Sequence, residues 1–328
     1  MRFTQEDRLK SWYYFLSTFV FTFLAFYGTY AIAFTPAKLL CGVLAGLLTA
    51  RLFVIYHDFN HEAILRQSNV ARFLMTLFGI TTLAPPSIWK ETHQHHHNHN
   101  SKFSRVVIGS FPTLSTETFR NSTKAQRRWY LMLRHPLMIL FAYVPIFFVS
   151  FCLWPFFENP RRYYDCGIAA GLHILFAGLL YMVGGFDAVI FSLIIPCLIM
   201  FAVGGYIFYA QHNFPEVILS DDDHWDYLSA ALQSSSYIKM NRVFRWLTAN
   251  IGYHHVHHVN ARIPFYRLPE AMKCIRELQH PRTTSLHPLE IWKCLQLKLW
   301  DAKYGRMITM QEYERTSAKL QFTLDSRE

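Results

Sequence analysis

The chain has 328 residues, of which 52% are hydrophobic and 16% are charged, and its formal net charge at pH 7 is +10. Ordinary soluble domains contain about 25% charged residues, so this composition excludes a typical soluble protein and indicates an integral membrane protein. The positive charge is typical of a surface that meets anionic lipid or an acidic protein. Nucleic-acid binding is disfavoured, because the sequence has no basic repeat and no aromatic-basic motif.

Four segments are apolar over the roughly 20 residues that a membrane-spanning helix requires. They are residues 12–34, 37–56, 166–184 and 188–210. The first segment is too long for the apolar core of a signal peptide, so we interpret it as a retained membrane helix. Very short links join the segments in pairs, which predicts two helical hairpins.

Two other apolar segments, residues 70–89 and 136–157, contain proline or arginine and are weaker candidates for a crossing. We expect interfacial helices there, lying in or dipping into the cytoplasmic leaflet. The tail, residues 268–328, is charged and amphipathic, and it predicts helices that pack on the core or on the membrane surface.

Lysine and arginine cluster in residues 90–134, at 161–162 and in residues 239–276. The positive-inside rule places these stretches in the cytoplasm, provided that residues 136–157 do not cross. The sequence therefore predicts one domain over residues 1–328. Its fold class is an all-α, multi-pass integral membrane protein with four transmembrane helices in two hairpins, interfacial helices and a cytoplasmic cap. If the source is bacterial, the membrane is the plasma membrane.

Histidines form three clusters on the predicted cytoplasmic side. The first has i, i+4 spacing, and the other two share i, i+3, i+4 spacing, so each cluster presents one helical face. One more histidine follows the last predicted span on the same side. The nine candidate metal ligands are His57, His61, His93, His96, His97, His212, His254, His257 and His258.

Nine histidines are too many for one ion but suit two ions with four or five ligands each. Imidazole binds Fe, Zn, Cu and Ni, so the ligand type does not select the metal. A ligating histidine usually donates its second N–H to a neighbouring acceptor. The candidates for outer partners, chosen by closeness in sequence, are Asp58, Asn60, Asn98, Asn100, Asp226 and Asn250.

The remaining histidines near the clusters lie off these faces. His95 is about 200° from His93 around a helix, and His255 is about 100° from His254, so we expect outer or surface positions for both. His99, about 120° from His93, is a candidate outer partner. His173 lies mid-span, and two interpretations stay open: a functional intramembrane group, or a neutral histidine bonded to a neighbouring helix.

The clusters resemble the HxxxH, HxxHH and HxxHH boxes of the membrane fatty acid desaturases, over roughly residues 50 to 275. The likeness is greatest to the acyl-lipid branch, in which the first box has the form His-Asp-x-x-His and a tryptophan precedes the second, as Trp89 does here. Further matching motifs are Gln211-His212-Asn213-Phe214, Trp225-Asp226-Tyr227, Ala231-Leu232-Gln233, the stretch from Asn250 to His258, Arg262-Ile263-Pro264 and Tyr266-Arg267-Leu268.

The resemblance implies two iron ions held by these histidines, O2 as oxidant, and an acyl chain of a membrane lipid as substrate. It also implies two electrons from a separate donor of the ferredoxin or cytochrome b5 type, because the sequence has neither a His-Pro-Gly-Gly element nor iron–sulfur cysteine spacing. Some related desaturases carry an asparagine four residues before the equivalent of His212. Here that residue is Phe208, a departure at one coordination position of one iron.

Alternatives remain at three levels. The head group is phospholipid by the family branch, with acyl-CoA and acyl carrier protein as alternatives. A di-iron hydroxylase, ketolase or acetylenase shares the boxes and differs in the fate of the substrate radical. A non-enzymatic metal transporter or sensor predicts histidine or acidic residues inside the spans, whereas nearly all histidines here lie outside them.

Overall fold

The computed structural model describes residues 2–102, 109–220 and 223–325. Residues 103–108, within the predicted basic stretch, and residues 326–328, at the end of the predicted tail, lie outside the described residues. Over the described ranges the chain is mostly helical, with several long apolar helices, as expected for a helical membrane protein.

The described α-helices are α1 (Arg8–Ala31), α2 (Thr35–Asn60), α3 (Asn69–Thr81), α4 (Pro86–His99), α5 (Thr116–Asn121), α6 (Lys124–Leu133), α7 (Pro136–Leu140), α8 (Trp154–Glu158), α9 (Tyr164–Val189), α10 (Ile195–His212), α11 (Tyr227–Gln233), α12 (Arg242–Leu247), α13 (His254–Val259), α14 (Leu268–Cys274), α15 (Pro288–Gln296) and α16 (Met310–Asp325). The described strands are β1 (Leu114–Ser115), β2 (Tyr237–Lys239), β3 (Thr283–Ser285), β4 (Leu297–Asp301) and β5 (Arg306–Thr309). Segments Tyr143–Leu153 and Ile190–Ile194 are π-helical, and Arg2–Thr4 and Arg276–Leu278 are 3₁₀ turns.

In the described ranges, three helical stretches are long and apolar enough to cross a membrane: α1, α2 and the 49-residue stretch Tyr164–His212. An unbroken helix of that length would extend about 74 Å, against about 30 Å for the hydrocarbon layer. The backbone is non-helical at Gly184 (φ −143°, ψ 17°) and Gly185 (φ 62°, ψ −157°), beside the predicted link between two spans. A positive φ is accessible to glycine without steric cost, so the chain can turn there.

Helix α2 lies at the centre of the bundle and packs against α1 and α10. A Cβ atom on Gly46 would lie 2.6 Å from the carbonyl oxygen of Pro196, so the absence of a side chain permits the close approach of α2 to α10. Lys38 forms an ion pair with Asp187. The links of both hairpins therefore meet at one end of the bundle, opposite the end of α2 that carries histidines.

The two predicted interfacial segments differ from the expectation in their boundaries. The first ends at Thr81 rather than at residue 89, because Pro86 begins a new helix, α4, in the favourable first-turn position for proline. The second is not one helix over residues 136–157. It is divided into α7, the π-helical segment Tyr143–Leu153 and α8.

The expectation of helices alone in the tail is wrong for residues 283–285, 297–301 and 306–309, which form strands β3, β4 and β5. Helix α15 ends at Gln296, and the next three residues, Leu297, Lys298 and Leu299, are all buried in strand β4. Strand β4 pairs in parallel with β1 (Leu299 with Leu114) and antiparallel with β5. A second, two-stranded parallel sheet joins β2 to β3.

Arg134 connects the three-stranded sheet of β1, β4 and β5 to α10, the helix that ends at His212. Its side chain is fully buried and donates hydrogen bonds to the Tyr209 hydroxyl (2.9 Å), the Leu297 carbonyl (3.1 Å) and the Thr113 hydroxyl (2.9 Å). A buried guanidinium is stable only when its donors find acceptors, so these bonds fix the end of α10 relative to β4.

Candidate metal centre

Four helices bring the nine predicted histidines together at one end of the bundle. The last turn of α2 carries His57, and His61 caps its C-terminus. Helix α4 supplies the second cluster, α10 ends on His212, and the short helix α13 supplies the third cluster. Extension of α2 four residues past its predicted end is what places the first cluster on a helix.

Five of the histidines form one group, which we call the five-histidine group: His57, His61, His93, His97 and His257. Their ligand nitrogens all lie within 4.8 Å of one another. The Nε2 atom of His93 is 2.9 Å from that of His61 and 3.2 Å from that of His97. The Nε2 atoms of His97 and His257 are 3.1 Å apart.

The other four form the four-histidine group: His96, His212, His254 and His258. The Nε2 atom of His254 lies 2.9 Å from that of His212 and 3.0 Å from that of His258. The Nε2 atoms of His96 and His258 are 3.2 Å apart. The two groups share helices α4 and α13, since neighbouring residues of each box face different groups.

This convergence fits bound cations. Nitrogens that ligate one ion at about 2.1 Å lie about 3 to 4 Å apart, and here the nearest pairs are 2.9 Å apart, with all nitrogens of a group within 4.8 Å. A neutral imidazole has one N–H, so a closed set of Nε2 atoms facing one another cannot be satisfied by mutual hydrogen bonds alone. A cation bound at the centre of each group would accept all the lone pairs.

Burial keeps these imidazoles neutral. Desolvation, followed by the neighbouring imidazoles, holds the pKa values of His93, His97 and His257 well below the ordinary value of 6.5. The same causes, in the same order, lower the pKa values of His254 and His258. Neutral imidazole is the form that ligates metal, so both groups are ready to bind cations at physiological pH.

Among the described residues, Asp58 is the sequence-predicted outer partner whose side chain contacts a candidate ligand histidine. Its Oδ1 atom lies 3.2 Å from Nδ1 of His57, and its Oδ2 atom accepts a hydrogen bond of 2.7 Å from the backbone N–H of Phe265. The carboxylate is fully buried. It orients the His57 ring so that Nε2 faces the five-histidine group.

The outer partners of the four-histidine group were missed from the sequence. Nδ1 of His96 lies 2.7 Å from the hydroxyl of Ser110, and Nδ1 of His212 lies 3.1 Å from the carbonyl oxygen of Ser234. Both serines are at least 14 residues from the histidine that they contact. A carbonyl partner carries no side-chain signal, and a lone serine is too common in sequence to stand out.

The other predicted outer partners have their side chains engaged elsewhere. Asn60 donates to the Tyr56 carbonyl and Asn250 to the Phe265 carbonyl. Asn100 donates to Ser235, while Asp226 caps helix α11 by accepting from the Ser229 amide. Asn98 is exposed and accepts from Gln94. Closeness in sequence was therefore a poor guide to the outer partners.

The remaining histidines stand outside both groups. The rings of His95 and His99 stack on each other with centroids 4.0 Å apart, away from the buried face of α4. His255 is buried rather than on the surface. Its Nε2 donates to the Leu278 carbonyl (3.1 Å), and burial lowers its pKa to about 4. His173 hydrogen-bonds with Tyr143 of a neighbouring helical segment, the second of its two interpretations.

Two aromatic residues pack against the two histidine groups from outside. Trp89 stacks on His93 with a centroid distance of 5.1 Å and an interplanar angle of 11°. Phe208 lies with its ring centroid 5.0 Å from His96 and 5.6 Å from His212. Phe208 also lines a cavity of about 30 Å³ together with Ser110 and His212, which is room for about one water molecule.

A family model described as fatty acid desaturase matches residues 33–289, which include all nine histidines. The fatty acid desaturase of Bacillus subtilis is 25% identical over 307 residues, covering 91% of this chain and 86% of that protein. The sn-1 oleoyl-lipid 12-desaturase of Anabaena variabilis is 23% identical over 285 residues (83% and 78%). The oleoyl-12-hydroxylase of Ricinus communis is 26% identical over 262 residues (71% and 64%).

Proposed function

Because the chain belongs to the fatty acid desaturase family, we propose that it is an O2-dependent acyl-lipid desaturase with two iron ions. In the proposed reaction, two neighbouring methylene groups of an acyl chain each lose a hydrogen atom and become a cis double bond. O2, those two hydrogen atoms, two electrons from the donor and two protons become two waters. The observation that supports this proposal most directly is that nine buried or half-buried histidines divide into groups of five and four with converging ligand nitrogens.

The iron ions, when bound, supply the O2 activation and hydrogen abstraction that no side chain can perform. The protein supplies the rest. Neutral imidazoles from α2, α4, α10 and α13 hold the ions, and the Asp58 carboxylate and the Ser110 hydroxyl fix the rings of His57 and His96. The aromatic rings of Trp89 and Phe208 pack against His93 and His96.

We propose four membrane crossings in two hairpins, with the histidine groups at the cytoplasmic end. The break at Gly184 and Gly185 and the ion pair between Lys38 and Asp187 support two turns at one extracytoplasmic end. The distribution of lysine and arginine supports the orientation. A reporter fused at residue 186 is expected outside the cytoplasm and one at Asn159 inside it. The opposite result at Asn159 contradicts this topology.

The electrons come, in this proposal, from a separate ferredoxin-type or cytochrome b5-type protein. The net charge of +10 favours association with an acidic donor, and such steering weakens as salt screens the charges. The association rate of the donor is therefore expected to fall with ionic strength. A rate that does not change with salt argues against electrostatic docking.

The test of function is expression in a host that lacks the activity, followed by mass spectrometry of total fatty acids. A new cis double bond is expected, and its position follows from a derivatised product. His97→Ala and His258→Ala, one from each group, should abolish the product, whereas the matched control His95→Ala should retain it. Unchanged fatty acids despite folded, iron-loaded protein and a competent donor would refute desaturation.

A lipid hydroxylase is the second candidate, because one relative at 26% identity is named an oleoyl-12-hydroxylase. Both reactions begin with removal of one hydrogen from a methylene group, and they differ in whether a second hydrogen leaves or oxygen is inserted. A product heavier than the substrate by one oxygen atom would support this candidate over desaturation.

A further inference from the structure

A short helix just before the third histidine cluster has an unusual exposed surface. Helix α12 presents Val243, Phe244 and Trp246 with exposed fractions of 64%, 43% and 41%. Lys239 and Arg242, at the end of β2 and the start of α12, are exposed as well. We call these five residues the α12 surface.

Helix α12 rests against the flank of the first hairpin rather than above it. Arg51, nine residues before the end of α2 and thus about 13 Å along its axis, donates a hydrogen bond to the Trp246 carbonyl. The Arg51 guanidinium also lies 4.3 Å from the centroid of a Trp246 ring. Leu247 packs with Ala45 and Leu48 of α2. These contacts place α12 beside the apolar surface of α2, between residues 45 and 51 of that helix.

The exposed apolar side chains beside this apolar helix are stabilised by contact with lipid. If these three side chains were exposed to water, the protein would forgo the stabilisation that their burial provides, about 25 cal/mol per Å² of apolar surface. Tryptophan is favoured at the boundary between head groups and acyl chains. A short helix with apolar and basic residues is typical of an element lying in the membrane interface.

The positive charge of the α12 surface complements the negative charge of a phosphate group. The sequence contains no aspartate or glutamate from residue 227 to residue 269. Among the described residues, neither Lys239 nor Arg242 forms an ion pair with a carboxylate. Basic residues beside an anionic membrane surface contribute about 1 kcal/mol each to association.

We infer that the α12 surface is a binding site for the head group of an anionic phospholipid. Lys239 and Arg242 bind its phosphate, and Val243, Phe244 and Trp246 lie among its acyl chains. The site is close in the chain to the metal centre, since His254 follows Leu247 by seven residues and the Ile238 amide bonds to the Gly252 carbonyl. Identification of this lipid as the substrate rests on the proposed desaturase function, whereas the binding itself does not.

The binding test uses the full-length, iron-loaded protein in detergent, titrated with phosphatidylglycerol and followed by native mass spectrometry. The double variant Lys239→Gln/Arg242→Gln should weaken the tightest phosphatidylglycerol site by about thirtyfold, from about 1 kcal/mol per basic residue. The matched control Lys303→Gln/Arg315→Gln removes two exposed charges in the C-terminal region and should not change that site. Equal lipid binding by both variants overturns the inference.

A depth measurement separates lipid contact from nonspecific charge effects. An environment-sensitive fluorophore on Val243→Cys, in a Cys274→Ser background and in nanodiscs, should be quenched by phospholipid spin-labelled near the head group. The control Tyr304→Cys, in the exposed turn before β5, should not be quenched. An unquenched probe at residue 243 contradicts membrane contact, whatever the enzymatic activity.

Turnover then tests the role of the site in substrate binding. The Lys239→Gln/Arg242→Gln variant should raise KM for phosphatidylglycerol by about tenfold or more at an unchanged kcat and unchanged iron content. If the variant instead alters only the dependence on donor concentration, the surface docks a protein and the lipid inference is wrong. If lipid binding is lost in the variant but no product forms in the parent protein, the desaturase proposal fails and the binding site stands.

Discussion

The two histidine groups differ in how many ligands they have and in what holds those ligands. The five-histidine group has a buried carboxylate, Asp58, behind His57, whereas the four-histidine group has a hydroxyl and a carbonyl behind His96 and His212. A carboxylate raises the basicity of an imidazole more than a neutral acceptor does. Only the four-histidine group borders the small cavity that Phe208 lines.

If both groups bind iron as proposed, this difference indicates unequal tasks for the two ions. The five-histidine group would offer its ion a spare ligand and a carboxyl support, which favours tight retention. The four-histidine group has fewer ligands and adjacent space, which leaves room for an exogenous ligand such as water or O2. Substitutions that affect the two groups unequally can test this assignment.

The largest expected effect follows removal of a ligand from the smaller group. His258→Ala leaves three histidines there, and product formation should fall by more than about 100-fold, with loss of about one iron per chain. His61→Ala leaves four histidines in the larger group, so it should retain more iron. Metal analysis by mass spectrometry of purified variants measures both. Equal iron loss would remove the distinction between the groups.

The next largest effect concerns the carboxylate. Asp58→Asn retains an acceptor for the Phe265 amide but removes the charge beside His57, so activity or iron affinity should fall by about 10- to 100-fold. Iron retention in a chelator competition assay reports the affinity, and circular dichroism checks the fold. Full activity of Asp58→Asn would show that the charge is not needed.

A smaller effect is expected at the hydroxyl. Ser110→Ala removes one neutral hydrogen-bond partner of His96, which is worth about 1 kcal/mol, so activity should fall by about fivefold. The comparison with Asp58→Asn is the informative quantity, measured in the same turnover assay. A loss at Ser110 larger than that at Asp58 would reverse the proposed ranking of the two supports.

The smallest effect is expected at His95. Its ring stacks on exposed His99 and contacts neither group, so His95→Ala should keep activity within about twofold of the parent protein. Turnover at saturating lipid and donor measures this. A strong loss would mean that the exposed face of α4 participates, for example in docking the electron donor.

Spacing alone located the histidines because each box lies on a single helix, where i, i+3 and i+4 positions share a face. The same rule separated His95 from His93, His96 and His97. Spacing did not tell which ligand belongs to which group. That division depends on the relative placement of α2, α4, α10 and α13, and long-range packing is not encoded in local periodicity.

Predictions failed where the physical cause is non-local. Ser110 and Ser234 become partners of histidines only through tertiary contact, and Asp226, one of the candidate outer partners, caps helix α11. Strand β4, which the sequence did not predict, pairs with β1, about 180 residues away in sequence, as well as with the neighbouring β5. The long apolar helices were predictable from the sequence, since apolar runs and glycine breaks are local signals.

The histidine Nε2 atoms converge to distances of about 3 Å, and this has a consequence for the stability of the protein in the cell. The candidate ligands come from residues 57 to 258, so bound iron would link segments across most of the chain. A ligand that binds only the native state adds stability by mass action, about 4 kcal/mol at a thousandfold excess over Kd. Chain turnover should therefore follow iron supply: iron-starved cells should contain less of the protein at equal rates of synthesis.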